Sequence, residues 1–213
     1  MYLVTPHSNV LVLCAHPDDE IGCGALISKL IENEHRVHYA CFSDCAESTK
    51  ALGFSPETLI QECRTSCLSL GIRDEDWRAF DFPVRNFPNF RQDILDTLIR
   101  LREELNPSLV LTASRDDIHQ DHSTLTIEAV RAFKHSNIIG YEFPWNHIHS
   151  HLDMLVRVEK RHVDAKLAAW ECYKTQAARA YHGHKVLESL ARVRGVQANS
   201  EFAESYETIR IFI

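Results

Sequence analysis

Residues 9–15 read Asn-Val-Leu-Val-Leu-Cys-Ala, an unbroken apolar run behind one asparagine. A strand turns alternate side chains to opposite faces, so this run has no polar face to offer water. It suits a parallel strand covered on both sides, and that requirement points to a sheet with helices on each face. The rest of the chain supplies the partners. Residues 23–34 carry Ala25, Leu26, Leu30 and Ile31 at helical spacing, and 36–42 read as a second strand, completing a right-handed βαβ unit. A helix is expected over 56–70 with Gly71 as its C-cap, a short strand over 77–82, and a helix over 90–105 stopped by Asn106-Pro107. Then follow a strand at 108–112, a helix at 123–133 with Ser123 or His122 near its N-cap, and a strand at 137–143. Helices are expected at 158–173 and 184–194, and 208–213 as a closing strand or docked tail. There is no internal repeat, low-complexity segment or Pro/Gly/Ser-rich linker. The expectation is one α/β domain over residues 1–213, Rossmann-like, with a mainly parallel sheet flanked by helices.

Composition removes several function classes. Apolar residues are 45% and charged residues 25% of the chain, an ordinary globular balance, and the net charge of -7 opposes a nucleic-acid backbone as the main partner. No apolar stretch approaches the ~20 residues of a membrane span. The first six residues lack the basic and apolar regions of a secretory leader, and seven cysteines, an odd number, suit reduced thiols. A cytoplasmic protein is therefore expected. Cys41 with Cys45 and Cys63 with Cys67 are each four apart; a metal site is conceivable, but packing on one helix face is the plainer reading for the second pair. His147, His149 and His151 cluster in one loop and read as solvated.

In an open parallel sheet, ligands bind beyond the carboxyl ends of the strands. Two polar segments fall there. The first, Ala15-His-Pro-Asp-Asp-Glu20, follows the first strand. His16 and Asp19 offer donor atoms suited to zinc, and Pro17 stiffens the turn. Asp18, Asp19 and Glu20 repel one another unless a cation sits among them; helix capping near Ile21 is the alternative use of these acids. The second, Asp116-Asp-Ile-His-Gln-Asp-His122, follows a later apolar strand. His122 offers a third ligand, His119 faces the same region, and Asp121 can hold one imidazole in its productive tautomer. A polar loop with a histidine N-cap is the alternative. Neither segment establishes a metal alone; their shared sheet end gives the reading weight. Gly22-Cys23-Gly24 lacks a full dinucleotide fingerprint, since position 27 is Ile27, and reads as close packing. Tyr141, Phe143 and Trp145 suit either sugar stacking or the core, and Arg85, Asn86 and Asn89 either hydroxyl contacts or a solvated loop.

The pairing of His-Pro-Asp-Asp-Glu with His-x-Asp-His resembles the LmbE-like, or PIG-L, deacetylases. The likeness runs through Leu70-Gly71, Lys166 with Tyr173-Lys174-Thr175-Gln176, Arg194-Gly195 and residues 202–206. It implies the LmbE-like fold and zinc-dependent hydrolysis of an N-acetyl group on an amino sugar or its conjugate. His16, Asp19 and His122 match the zinc ligands, Asp18 the general base, His119 the histidine that stabilises the tetrahedral intermediate when protonated, and Asp121 that histidine's carboxylate partner. Iron suits the same donors. The candidate substrate contacts are Arg64, matching an arginine of the second helix, with Asp44, Glu47 and Arg85. The stretch Ser43-Asp44-Cys45-Ala46-Glu47 departs from the family by lacking a glycine turn. The expected partner is a small N-acetylated sugar or conjugate, with no nucleic acid and no membrane span; a homo-oligomer is compatible with the sequence. Hydrolysis of another small amide and a non-catalytic sugar- or nucleotide-binding domain stay open as alternatives.

Overall fold

The computed structural model describes residues 6–181 and 183–212. Its centre is the run identified first. Strand β1 (Asn9–Cys14) lies between β2 (Arg36–Cys41) and β4 (Leu109–Ala113), parallel to both. Val10 to Cys14 are all fully buried. The alternation sorts them: Val10, Val12 and Cys14 enter one core, Leu11 and Leu13 the other. The first core is closed by Leu26 of α1 (Gly24–Glu32), Cys63 of α3 (Thr58–Ser69), Val163 of α6 (Lys160–Trp170) and Leu187 of α7 (His184–Gln197). The second is closed by Leu98 of α4 (Arg91–Leu105) and Leu125 of α5 (Gln120–Ala132). Each Val or Leu so buried contributes roughly 1.5–3 kcal/mol, which explains why the run tolerates no polar residue.

The sheet has seven strands in the order β3-β2-β1-β4-β5-β7-β6, with β3 at Trp77–Ala79, β5 at Asn137–Tyr141, β6 at Met154–Val158 and β7 at Phe202–Arg210. The first five are mutually parallel; β7 runs antiparallel to both β5 and β6. The expected α/β architecture holds, and three details are corrected. The closing strand is Phe202–Arg210 rather than 208–213, of which Ile213 lies outside the described residues. Its apolar pattern is broken by Glu204 and Glu207, which are buried because each has a partner: Lys166 for Glu204 at 2.7 Å, Arg115 and Ser114 for Glu207. Strand β6 was not anticipated: Val158 was read as the start of a helix, whereas it ends this strand and the helix begins only at Lys160. Helix α2 (Ala46–Ala51) was missed because Glu-Ser-Thr-Lys carries no apolar stripe.

All seven cysteines are unpaired, and Cys63 and Cys67 pack in the core as expected. Among the described residues no helix is long and apolar enough to cross a membrane. Close packing at Gly22 is also found: a Cβ there would lie 2.6 Å from the Tyr141 ring. The tightest glycine is Gly195 of α7, where a Cβ would meet the Glu201 carbonyl oxygen at 2.4 Å and its carbon at 2.6 Å. Backbone cannot swing aside as a side chain can. Gly195→Ala is expected to cost about 3 kcal/mol of stability, seen as a lower denaturation midpoint with an unchanged slope.

Candidate metal and catalytic cleft

A cleft of about 400 Å³ opens at the carboxyl ends of β1 and β4, where the sheet rule placed it. Just beyond β1 the chain makes a tight turn. Asp18 takes φ 100, a left-handed backbone that a non-glycine residue adopts at an energetic cost. The turn lets the Asp19 carboxylate accept the His16 backbone N–H at 2.8 Å through Oδ2, and leaves Oδ1 facing the cleft. The three consecutive acids are relieved in part by separation. Glu20 turns into the core, where Ser66 and Tyr173 donate to it, and burial pushes its carboxyl up to about 7. Asp18 and Asp19 remain in the cleft.

The second segment is built on α5. Its N-cap is His119, not Ser123 or His122, so Asp121 and His122 stand in the first turn and face β1. His122 Nε2 lies 3.1 Å from His16 Nδ1 and 3.3 Å from Asp19 Oδ1. The outward nitrogens are both taken by carboxylates. His16 Nε2 donates to Asp121 at 2.9 Å, and His122 Nδ1 donates to Asp117 at 2.7 Å. Each carboxylate is satisfied in turn. Asp121 also accepts the Arg85 and Phe87 backbone N–H groups, and Asp117 accepts the His119 N–H and the Asn146 side-chain amide. These interactions outweigh burial at Asp121 and hold its carboxyl below the usual range.

This arrangement dictates the chemistry of the centre. With both imidazole protons drawn outward, two nitrogen lone pairs and a carboxylate oxygen converge on one point. Such a point demands a cation. A proton answers the demand: burial opposes a charge on His122, but Asp19 and Asp117 overcome it and push the imidazole up to about 10. A divalent ion answers it better. Two nitrogens bound to a tetrahedral zinc lie roughly 3.3 Å apart, close to the separations found. The donor set therefore fits a metal, with His16, Asp19 and His122 as the residues that would hold it. Ring nitrogens of His16, His119 and His122 also lie within 4.8 Å of one another.

Two expectations for His119 change. Its Nδ1 accepts the Asp121 backbone N–H at 3.2 Å, so the ring proton sits on Nε2; the Asp121 carboxylate belongs to His16 instead. Burial, with His16 and His122 nearby, holds His119 below its ordinary value, so the ring is a neutral donor near pH 7 rather than a protonated one. The Asp18 carboxyl lines the cleft, pushed well up by burial and then by Asp19 and Glu20.

The expected substrate contacts divide. Arg85 lines the cleft. Arg64 does not: it is exposed and forks onto Asp74 at 2.8 and 2.6 Å, with its guanidinium over Trp77. Asp44 accepts the Ala46 N–H at the start of α2, and Glu47 is exposed on that helix; neither lines the cleft. Of the aromatic set, Phe143 and Trp145 line the cleft, while Tyr141 is buried with its hydroxyl donating to the Leu13 carbonyl. His151 caps Asp116 and His149 is exposed, in keeping with a solvated loop, but Asn146 and the half-buried His147 close over Asp117. Reasoning from the sequence missed Asp117, Arg179, Gln176 and Tyr181 in this cleft and its support. Asp117 was within reach: it stands two residues before His119 in the quoted motif.

Comparison with known proteins places the geometry. Three solved structures share the fold. A conserved protein from Thermus thermophilus is 21% identical over 97% of this chain and 96% of that one, with a TM-score of 0.78. N,N'-diacetylchitobiose deacetylase from Pyrococcus horikoshii is 21% identical over 99% and 87%, with a TM-score of 0.78. The 4-carboxy-2-hydroxymuconate hydratase GalB from Pseudomonas putida is 20% identical over 97% and 98%, also at 0.78. At these identities the likeness is one of fold, and the hydratase shows that this fold is not tied to one reaction. Among curated proteins none matches. The sequence pattern of PIG-L, the GlcNAc-PI de-N-acetylases, matches residues 11–133 and so takes in both segments of the cleft. Spanning more than half of its length, that match shows that the chain belongs to the PIG-L family.

Proposed function

We propose that the chain is a zinc-dependent hydrolase that removes the acetyl group from an N-acetylated amino sugar or its conjugate. The observation that carries this reading is the convergence of His16 Nδ1, His122 Nε2 and Asp19 Oδ1, with both outward imidazole nitrogens anchored on buried carboxylates. Family membership supplies the acetyl amide as the bond cleaved.

When bound at these three residues, zinc supplies Lewis acidity, acidifying a water and polarising the acyl oxygen. The protein's own part follows from its protons. The Asp18 carboxylate takes a proton from the attacking water, and its raised affinity for protons suits a general base better than an ordinary surface aspartate. His119, neutral with its proton on Nε2, donates a hydrogen bond toward the developing oxyanion. The carbon–nitrogen bond breaks, and Asp18 returns to the departing amine the proton it took from the water. Products are acetate and a free amine.

The test is a screen of N-acetyl sugars and their conjugates for released acetate, run beside elemental analysis. About one zinc per chain and acetate release support the reading; the absence of both from protein purified without chelator overturns it. Iron recovered in place of zinc revises the metal alone. The anchoring carboxylates provide a graded check. Asp117→Asn and Asp121→Asn are each expected to weaken metal binding by roughly 10–100-fold while leaving all three ligands in place. Competition with a chelator reads this directly, and wild-type affinity in both variants removes the anchoring role.

A further inference from the structure

The two edges of the sheet differ. At one, β3 spans only Trp77–Ala79, and its Arg78 is bound to Glu104. A strand so short and charged offers little to a further strand. At the other, β6 spans Met154–Val158, and among the described residues it pairs only with β7. Its residues alternate. Met154 and Val156 pack against the first core, whereas Asp153, Leu155 and Arg157 are exposed. An open edge with three consecutive apolar residues is the kind that takes up another strand.

One contact shows which backbone groups face outward. Lys29 Nζ donates to the Arg157 carbonyl at 2.7 Å, so that carbonyl points away from β7. In an antiparallel strand alternate residues turn their N–H and C=O groups to the same side, so the backbone of Leu155 and of Asp153 faces the open edge too. The flanking charges then select the partner. Asp153 Oδ1 accepts the Thr208 N–H at 2.7 Å, and Arg157 Nε donates to the Ala198 carbonyl at 2.8 Å. Each side chain is thus anchored through one atom, and among the described residues neither has an oppositely charged group at ion-pair distance. The two stand symmetrically about Leu155, two residues to either side. Pairing this strand antiparallel with a copy of itself, about a two-fold axis at Leu155, sets Asp153 opposite the partner's Arg157 and Arg157 opposite the partner's Asp153. Moving the axis to Val156 sets Asp153 against the partner's Glu159 instead, and moving it to Met154 sets Arg157 against the partner's His151. One register of self-pairing therefore matches the charges.

We propose that β6 is a homodimer interface, at which two copies of the chain join their sheets edge to edge about a two-fold axis at Leu155. Two Asp153–Arg157 pairs fix the register, and Leu155 exchanges two backbone hydrogen bonds with its own copy. The occupant is a second copy because this strand read in reverse supplies both complementary charges. A five-residue strand buries less than a standard interface, so the dimer is reversible, with a dissociation constant on the order of 10 μM. The inference is independent of the reaction proposed for the cleft.

Sedimentation equilibrium of the full chain, over concentrations that bracket this constant, tests it. The wild type is expected to pass from monomer to dimer, and less readily as salt rises. Asp153→Arg and Arg157→Asp each set like charges opposite one another twice, and each alone should weaken association by about tenfold or more. Mixed in equal amounts, the two variants carry complementary strands, and the heterodimer should form with near wild-type affinity. Misfolding cannot produce that rescue. Leu155→Pro removes the outward N–H at the axis and is tolerated at a sheet edge, so it should leave a folded monomer, with thermal unfolding confirming the fold. A wild type that stays monomeric throughout overturns the interface and leaves the edge to a strand of a different protein. A dimer that survives Leu155→Pro and both charge reversals lies on another face and overturns it equally. Folded charge variants that fail to associate on mixing overturn the register.

Discussion

Asp18→Asn is expected to keep its full complement of metal and lose about 10³-fold in kcat. The substitution preserves shape and changes one property, the capacity to take a proton. General-base contributions commonly span about 10²–10⁴-fold, and two features place Asp18 toward the middle or upper part of that range. Its carboxyl lines the cleft beside the proposed ligand Asp19, and its backbone is held at φ 100, a conformation that a capping residue does not require. Asp18 is not among the converging donors, so the metal should remain. The check is elemental analysis and acetate release on the same preparation. A variant with metal and near wild-type turnover would falsify the assignment of the base; one that lost its metal would make Asp18 a ligand.

The second large effect is expected at His122. His122→Ala should abolish stoichiometric metal binding and reduce activity to background, because one change removes a donor and leaves Asp19 and Asp117 facing each other across a cavity. Both carboxylates are nearly fully buried, so the metal-free variant should also lose about 1–3 kcal/mol of stability. Linkage separates the two consequences. In the wild type, saturating zinc should raise the unfolding temperature, since at about 1,000 times its dissociation constant a ligand stabilises the folded state by about 4 kcal/mol. In His122→Ala zinc should leave that temperature unchanged. A zinc-dependent rise of wild-type size in the variant would show that the ion binds elsewhere.

These two results probe different layers of legibility. The parallel sheet could be read because one physical demand, burial on both faces, leaves a local trace in Val10 to Cys14. The metal and base candidates could be read because His16, Asp18 and Asp19 share one turn and His119, Asp121 and His122 share another. What was misread depends on pairing at a distance. Strand β7 carries glutamates that are acceptable in the core only because Lys166 and Arg115 reach them. Arg64 was the candidate for the family's second-helix arginine, yet it lies outside the cleft, exposed and bound to Asp74. Arg179 stands in a stretch without periodicity, and only the closing of the loop after α6 carries it to the cleft.

By itself the sequence determined the α/β sheet, the strand end at which chemistry would gather, and the side chains available there. Each of those is a property of short segments, set by hydrophobic alternation and by donor atoms a few residues apart. Tertiary structure decided the pairing: Asp121 with His16 across 105 residues, His122 with His16 across 106, and Asp117 rather than a more distant acid for His122. The physical reason is that a proton's position on an imidazole is set by whichever carboxylate the fold brings within about 3 Å, and spacing along the chain carries no record of that distance.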